Sequence, residues 1–196
     1  MVGYRKLNPG DARQFGEHMA RLDADDRRSR FAGTVSDREI HRYCAGLDWR
    51  HTTIIGFFDQ GMIRAAVELR MEPGVAEPAA EAAFSVERGF QGKGIGSALL
   101  RRIVTVAQNT GIRHLSVICQ PGNWRMRQML AKFNAESEVD IQEVVASIRL
   151  RPADPFSLAQ ESFDDGSGLM PILFDQWCGN LMRVFVPGMA AQRQAA

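Results

Sequence analysis

The sequence predicts an α/β domain whose sheet is antiparallel early and parallel at its centre. Three observations carry that prediction. Residues 51–58 and 62–71 are rich in Thr, Ile, Val and Ala around the turn Asp59-Gln60-Gly61, which reads as a β-hairpin. A further strand over 80–88 runs into a glycine-dense stretch, and the pattern Leu99, Leu100, Ile103, Val104, Ala107 that follows has helical spacing. After that helix, 114–119 reads as a short buried strand, so strands and helices are interleaved rather than segregated.

The remaining elements follow in order. Residues 2–7 read as a first strand, and Asn8-Pro9-Gly10-Asp11 punctuates it, with Asp11 placed to cap a helix reaching about Leu22. Asp23, Asp25 and Asp26 precede Arg27, Arg28 and Arg30, a mixed field that reads as a solvated helix face. Ser36 and Glu39 have capping-box spacing for a helix over 37–47, whose Ile40, Tyr43, Cys44 and Leu47 share one face. Residues 72–78, with two prolines and a glycine, read as a loop. Pro121-Gly122-Asn123 is a turn in which Asn123 caps a helix over 124–133. Beyond Ala135 the pattern is weaker: a strand over 144–150, loop-rich sequence over 152–168 with a helical stretch at 155–161, and apolar residues over 169–186. The expected organisation is a domain over 1–150, an extension over 151–186 packed on the domain or on a partner, and a tail over 187–196.

Composition narrows the function classes. A chain of 196 residues with 45% hydrophobic and 24% charged residues suits one globular domain with a real core. A net charge of +1 gives no global argument for nucleic acid. No apolar run approaches the roughly 20 residues of a membrane span, and the N-terminus has no signal-peptide pattern, so a cytoplasmic protein without membrane association is expected. Cys44, Cys119 and Cys178 are far apart, as are His18, His41, His51 and His114, so neither a disulfide framework nor a metal site is expected.

The chemistry concentrates in Gln91-Gly92-Lys93-Gly94-Ile95-Gly96. Alternating glycines leave backbone N–H groups uncovered, and the helix beginning there adds partial positive charge, which together suit a pyrophosphate. Lys93 adds a direct charge. Two other phosphate loops do not fit. A Walker loop requires Ser or Thr after the lysine, where Gly94 stands, and a dinucleotide fingerprint requires glycine at the positions of Leu99 or Ser97. What remains resembles the GNAT superfamily of N-acetyltransferases, whose motif is Gln or Arg, two residues, Gly, one residue, then Gly or Ala. Gln91, Gly94 and Gly96 fill those places. Phe84 and Val86 in the strand before and Leu99-Leu100 in the helix after agree with it, as does the Asn123-led helix beyond the next strand. The resemblance covers about residues 2–150. It implies a mixed, mostly antiparallel central sheet flanked by helices, with central parallel strands that splay.

By that resemblance the cosubstrate is acetyl-CoA. Backbone groups from Gln91 to Ser97, with Gly92, Lys93, Gly94, Ile95 and Gly96 between them, would hold its pyrophosphate. Val86 would contact the pantetheine arm, an amide at Phe84 or Ser85 would polarise the thioester carbonyl, and Asn123 would complete the cofactor site. An alkyl amine is almost fully protonated at pH 7, so a base is expected. Glu81 resembles the catalytic glutamate of bacterial protein-lysine acetyltransferases, and its apolar sequence neighbours would make it a better base. Glu68 is the reserve candidate, and Glu87 is less attractive. Leu130 stands where many members carry a tyrosine assigned to protonating the thiolate, and Lys132-Phe133-Asn134 departs from the usual Lys-x-Gly. Core packing is the expected role of Tyr4 and Tyr43. The segment from Leu22 to Asp48 resembles the same bacterial enzymes. The acceptor expected is therefore an amine, either a protein lysine or a small molecule, and Arg27, Arg28 and Arg30 either touch it or form structural ion pairs. A non-catalytic acyl-CoA-binding module is the reading from another class, and dimerisation through the C-terminal segment is left open.

Overall fold

The computed structural model describes residues 3–74, 77–139 and 143–166. The expectations for 169–186, for the tail over 187–196 and for Cys178 lie outside these residues. Seven strands form one sheet: β1 (Gly3–Lys6), β2 (Thr52–Asp59), β3 (Met62–Glu72), β4 (Ala79–Val86), β5 (His114–Cys119), β6 (Glu136–Val139) and β7 (Val144–Arg149). Their order is β1-β2-β3-β4-β5-β7-β6. Every neighbouring pair is antiparallel except β4 and β5, which are parallel. The β2–β3 hairpin turns at Gln60 and Gly61, both with positive φ, the geometry that matches strand twist in a two-residue loop.

Six helices complete the fold: α1 (Ala12–Ala20), α2 (Ala24–Phe31), α3 (Asp37–Ala45), α4 (Ile95–Asn109), α5 (Trp124–Ala131) and α6 (Pro155–Gly166). The two faces of the sheet bury different sets. On one, α4 and α5 supply Leu99, Leu100, Ile103, Val106 and Leu130 against Val67, Leu69, Ala80, Ala82, Leu115 and Val117. On the other, Phe15, Met19, Ile40 and Cys44 of α1 and α3 pack against Ile54, Ile63 and Ala66. Fully burying each Val, Leu, Ile, Phe or Met side chain among these stabilises the fold by about 1.5–3 kcal/mol. α6 is held to β1 and α4 by polar contacts, with Lys6 Nζ 2.8 Å from Asp165 and Arg102 2.8 Å from Asp164.

Several local expectations are corrected. Asp11 does not cap α1 through its side chain; Asn8 caps a 3₁₀ turn over Pro9–Asp11, and the Asp11 carboxylate pairs with Arg5 at 2.7 Å. The charged stretch after Leu22 forms a separate helix, α2, capped by Asp23 accepting from the Asp26 N–H at 2.8 Å. The helix expected over 155–161 runs on to Gly166, and β6 was not anticipated. Asn134 takes the left-handed conformation (φ 53°) just past the end of α5. Asparagine tolerates that geometry, so it replaces the family's glycine there.

Candidate active site

β4 and β5 pair only at Ala79–His114, Ala80–Leu115 and Glu81–Ser116. Beyond Glu81 they separate, β4 continuing beside β3 to Val86 and β5 beside β7 to Cys119. The direction of the freed amides follows from the ladder. Glu87 N–H donates to Arg64 O at 3.0 Å, towards β3. Successive residues of a strand alternate, so Ser85, Ala83 and Glu81 also aim their N–H groups at β3. Phe84 and Val86 aim theirs into the gap. Of the two amides considered for the thioester carbonyl, only that of Phe84 faces the opening; Ser85 is committed to the ladder.

The gap ends at the glycine loop. Gly92 and Gly94 have φ of 73° and 80°, and no atom lies within 4 Å of a Cβ built on either. Gly94 is the N-cap of α4 and supplies no side-chain cap, so the N–H groups of Ile95, Gly96 and Ser97 precede the first intrahelical bond, Ala98 N–H to Gly94 O at 3.0 Å. Ile95 points its side chain into the core, so only its backbone is available. Lys93 is exposed, its ammonium 5.1 Å from the Phe90 ring centroid. The Gln91 side chain is a strut rather than a ligand group: its Nε2 donates to Asp26 Oδ2 at 2.9 Å and to Val86 O at 3.1 Å, while Arg125 donates to its Oε1 at 3.2 Å. Asn123 Oδ1 accepts from Met126 N–H at 3.1 Å and caps α5. The two loop glycines differ in their expected response to alanine. At Gly94 the left-handed backbone makes Gly94→Ala cost about 1–2 kcal/mol without any clash. Gly96 lies inside α4, where an added Cβ meets Met129 Sδ at an ordinary 3.5 Å, so Gly96→Ala is expected to stabilise by about 0.5–1 kcal/mol. Urea unfolding of both variants tests this opposition of sign.

Glu81 stands at the last paired position before the strands part. Its sequence neighbours Ala80 and Ala82 point to the opposite face, into the α4 core, so the apolar surroundings expected of it are not those it has. It borders a small cleft with Arg30, Glu68, Arg70 and Ala83, on the face covered by α1, α2 and α3. No hydrogen bond or ion pair engages its carboxylate among the described residues. Glu68, the reserve, is 2% exposed and saturated: it accepts from Tyr43 Oη at 2.6 and 2.7 Å, from Arg70 at 3.0 Å and from Arg30. Glu87 is equally committed. Burial would raise its carboxyl, but hydrogen bonds from His18, Arg21 and Arg64 outweigh that and hold it at about 2.

Tyr43 is therefore no simple core residue. It touches Phe31 edge-on at a centroid distance of 5.5 Å, and its hydroxyl joins Glu68 to Arg70. Burial is the largest cause pushing that hydroxyl up to about 12, so it is a poor acid for a departing thiolate. Leu130 is buried in the core at 1% exposure. The arginines of α2 mostly face inward: Arg30 pairs with Glu68, and Arg27 pairs with Asp37 at 2.6 Å and donates to Leu22 O and Ala20 O. Arg28 is exposed, 3.6 Å from Asp25.

One buried network was not read from the sequence. His18 is fully buried, with Nδ1 3.1 Å from Glu87 and Nε2 2.9 Å from Ser85 Oγ. Glu87 also receives Arg21 at 2.8 Å and Arg64 at 2.9 Å. The network bolts α1 to the end of β4 just before the loop. Its signal was available, because His18 sits on the stripe Phe15, Met19, Leu22, and a histidine on an apolar face needs a buried partner. Among the described residues no cluster of His, Cys, Asp or Glu could hold a metal ion, and no helix is long and apolar enough to cross a membrane.

The fold has close counterparts. The GNAT domain of S. lividans PAT superposes with a TM-score of 0.65 at 22% identity, covering 76% of this chain and 90% of that one. For yncA from Salmonella typhimurium, solved with its cofactor acetyl-CoA, the values are 0.61, 13%, 79% and 96%. For RimL, a ribosomal L7/L12 alpha-N-protein acetyltransferase in complex with coenzyme A, they are 0.61, 18%, 75% and 93%. Identities this low establish a shared fold and nothing finer. No curated protein matches in sequence. The family model for the Acetyltransferase (GNAT) family matches residues 17–135, more than half of the chain. That span runs from the last turn of α1 through α5 and takes in the splayed strands and the glycine loop, and this protein belongs to the GNAT acetyltransferase family.

Proposed function

We propose that this chain transfers an acetyl group from acetyl-CoA to a primary amine, with Glu81 as general base. The observation that carries the reading is the parting of β4 from β5 at Glu81, which opens a gap running to the uncapped start of α4. The residues fit the cosubstrate. Gly92 and Gly94 leave room for backbone to approach a pyrophosphate, and the N–H groups of Ile95, Gly96 and Ser97 converge with the helix dipole on that anion. Lys93 adds charge, Ser85 serves through its side-chain tie to His18, and the edge of Phe84 and Val86 offers the arm a row of backbone partners.

The reaction balances on these groups. The acceptor ammonium gives a proton to Glu81, and its nitrogen attacks the thioester carbonyl carbon. The C–N bond forms as the oxyanion develops against the Phe84 N–H, and collapse breaks the C–S bond. The attacking nitrogen passes its second proton to water, and through that water the proton ends on the departing thiolate. Glu81 precedes Phe84 by three residues, about 10 Å along an extended strand, so the proton reaches it through water. A thiol ionises near 8.5 and leaves without a strong acid, which is why Leu130 in place of a tyrosine is compatible with turnover. A protein lysine, the acceptor suggested by the segment from Leu22 to Asp48, draws less support, because Arg27 and Arg30 are spent on internal partners.

Thermal denaturation with acetyl-CoA, CoA, ATP and NAD tests the donor site. A ligand at 100 times its dissociation constant adds about 2.7 kcal/mol, which in a chain of this length raises Tm by roughly 5–10 °C. Acetyl-CoA and CoA are expected to give that shift. A shift with ATP or NAD and none with CoA overturns the reading.

A further inference from the structure

The cleft beside Glu81 holds two arginines and two glutamates, and they divide into a closed pair and an open one. The inner pair, Arg30 and Glu68, is buried, with side-chain exposures of 8% and 2%, and Glu68 is fully supplied with donors. The outer pair is Arg70 and Glu81. Arg70 uses only Nη2, which donates to Tyr43 Oη at 2.6 Å and to Glu68 at 3.0 Å, and its side chain is 53% exposed. Its other guanidinium nitrogens have no partner among the described residues. Glu81 makes no hydrogen bond or ion pair among the described residues, and only its charge acts on Arg70. The two residues are register partners across β3 and β4. Because Glu81 aims its N–H at β3, they form a hydrogen-bonded pair with Cα atoms about 5.5 Å apart. A guanidinium pinned by Tyr43 and Glu68 thus stands beside an open carboxylate, on one face and within one small ligand's span.

We infer that the acceptor is a small amine with a carboxylate close to its amino group, an amino acid or near analogue, its carboxylate on Arg70 and its amino group linked to Glu81 through water. The inference rests on the proposed role of Glu81 and adds Arg70 as the residue that sets specificity. A zwitterion complements the pair in sign. A plain alkylammonium meets Glu81 but leaves the outward guanidinium nitrogens of Arg70, whose Nη2 is held by Glu68, without a further acceptor, and it sets two like charges beside each other. The planar guanidinium has donors in a fork that suits a carboxylate. Fixing it through Tyr43 lowers the ordering cost of binding. A charge-assisted contact of this kind favours the carboxylated amine by about 10- to 100-fold. The substrate carboxylate also takes up the field of Arg70, leaving Glu81 to act on the amine.

The test uses the full chain with amino acids, their decarboxylated amines, their carboxamides and a lysine-containing peptide. Calorimetry on CoA-saturated protein reads acceptor affinity without turnover, and steady-state acetylation reads kcat/KM. The expected result is a preference of at least about 10-fold for the amino acid over its decarboxylated amine. That ratio should collapse towards one in Arg70→Gln and recover in part in Arg70→Lys. A ratio near one in the parent, a ratio unchanged by Arg70→Gln, or a preference for the peptide overturns the inference. Retained affinity for amino acids with no acetylation of any amine faults the proposed catalytic reading instead, so the two failures are told apart.

Discussion

Glu81→Gln is expected to lower steady-state acetyl transfer about 100- to 10,000-fold at pH 7, the usual weight of a positioned general base, with acetyl-CoA affinity unchanged. The substitution is nearly isosteric and removes only the proton-accepting charge. Because Glu81 makes no hydrogen bond or ion pair among the described residues, the fold loses only its attraction to the half-exposed Arg70. The donor loop lies ten or more residues along the chain, and its backbone groups are untouched. An alkyl amine with pKa near 10.4 is neutral in only about one molecule in a few thousand at pH 7. The deficit of the variant should therefore shrink as pH rises towards the pKa of the acceptor. Equal rates for the two proteins at pH 7 would place the base elsewhere. Glu68→Gln serves as a contrast. It leaves the buried Arg30 without its anion, so its effect is expected first in stability.

Glu87→Ala is the second large effect. Removing that carboxylate strips a partner from His18, Arg21 and Arg64 at once, and breaking a buried ionic network from one side costs about 3–5 kcal/mol. In a chain of 196 residues that corresponds to a Tm lower by roughly 6–20 °C. The parent should show the same network in its pH dependence. Glu87 is held at about 2, below its usual 4.5, so its contribution is complete above pH 4.5 and is lost as pH falls from there towards 2. His18 adds to the same trend. Burial is the largest cause lowering its pKa, so below about 6.5 the unfolded chain binds a proton that the native chain does not. Both groups make stability rise with pH across the acid range. Denaturant titrations of parent and Glu87→Gln between pH 7 and 3 check this, with a flatter acid limb expected in the variant. An unaltered limb would show that Glu87 is not the group responsible.

The parts of the fold that were legible are those with a local cause. The hairpin at Gln60-Gly61, the capping box from Ser36 to Glu39, the cap at Asn123 and the strand over His114–Cys119 all stand where the sequence put them. The turn and the two caps are decided by backbone conformation or by hydrogen bonds within a few residues, and the strand by its own run of apolar and β-branched residues. The cap of α1 was misread because Asn8 and Asp11 compete locally, and Arg5, in the strand before, claims the Asp11 carboxylate. β6 was missed because Glu136–Val139 is exposed throughout and has no apolar alternation to betray it.

The candidate site divides in the same way. By itself the sequence determined the glycine loop, the family and the identity of Glu81 as a candidate, because glycine placement and motif order are properties of the chain. Only the tertiary structure decided which charges stand free. Glu68, Glu81 and Glu87 are equivalent as letters, yet two are consumed by donors from α1, α2, α3 and β3, and one is left open beside Arg70. The choice of Phe84 over Ser85 as the amide facing the gap is of the same kind. It depends on which side of β4 holds β3, and strand order is set by long-range packing that no local pattern encodes.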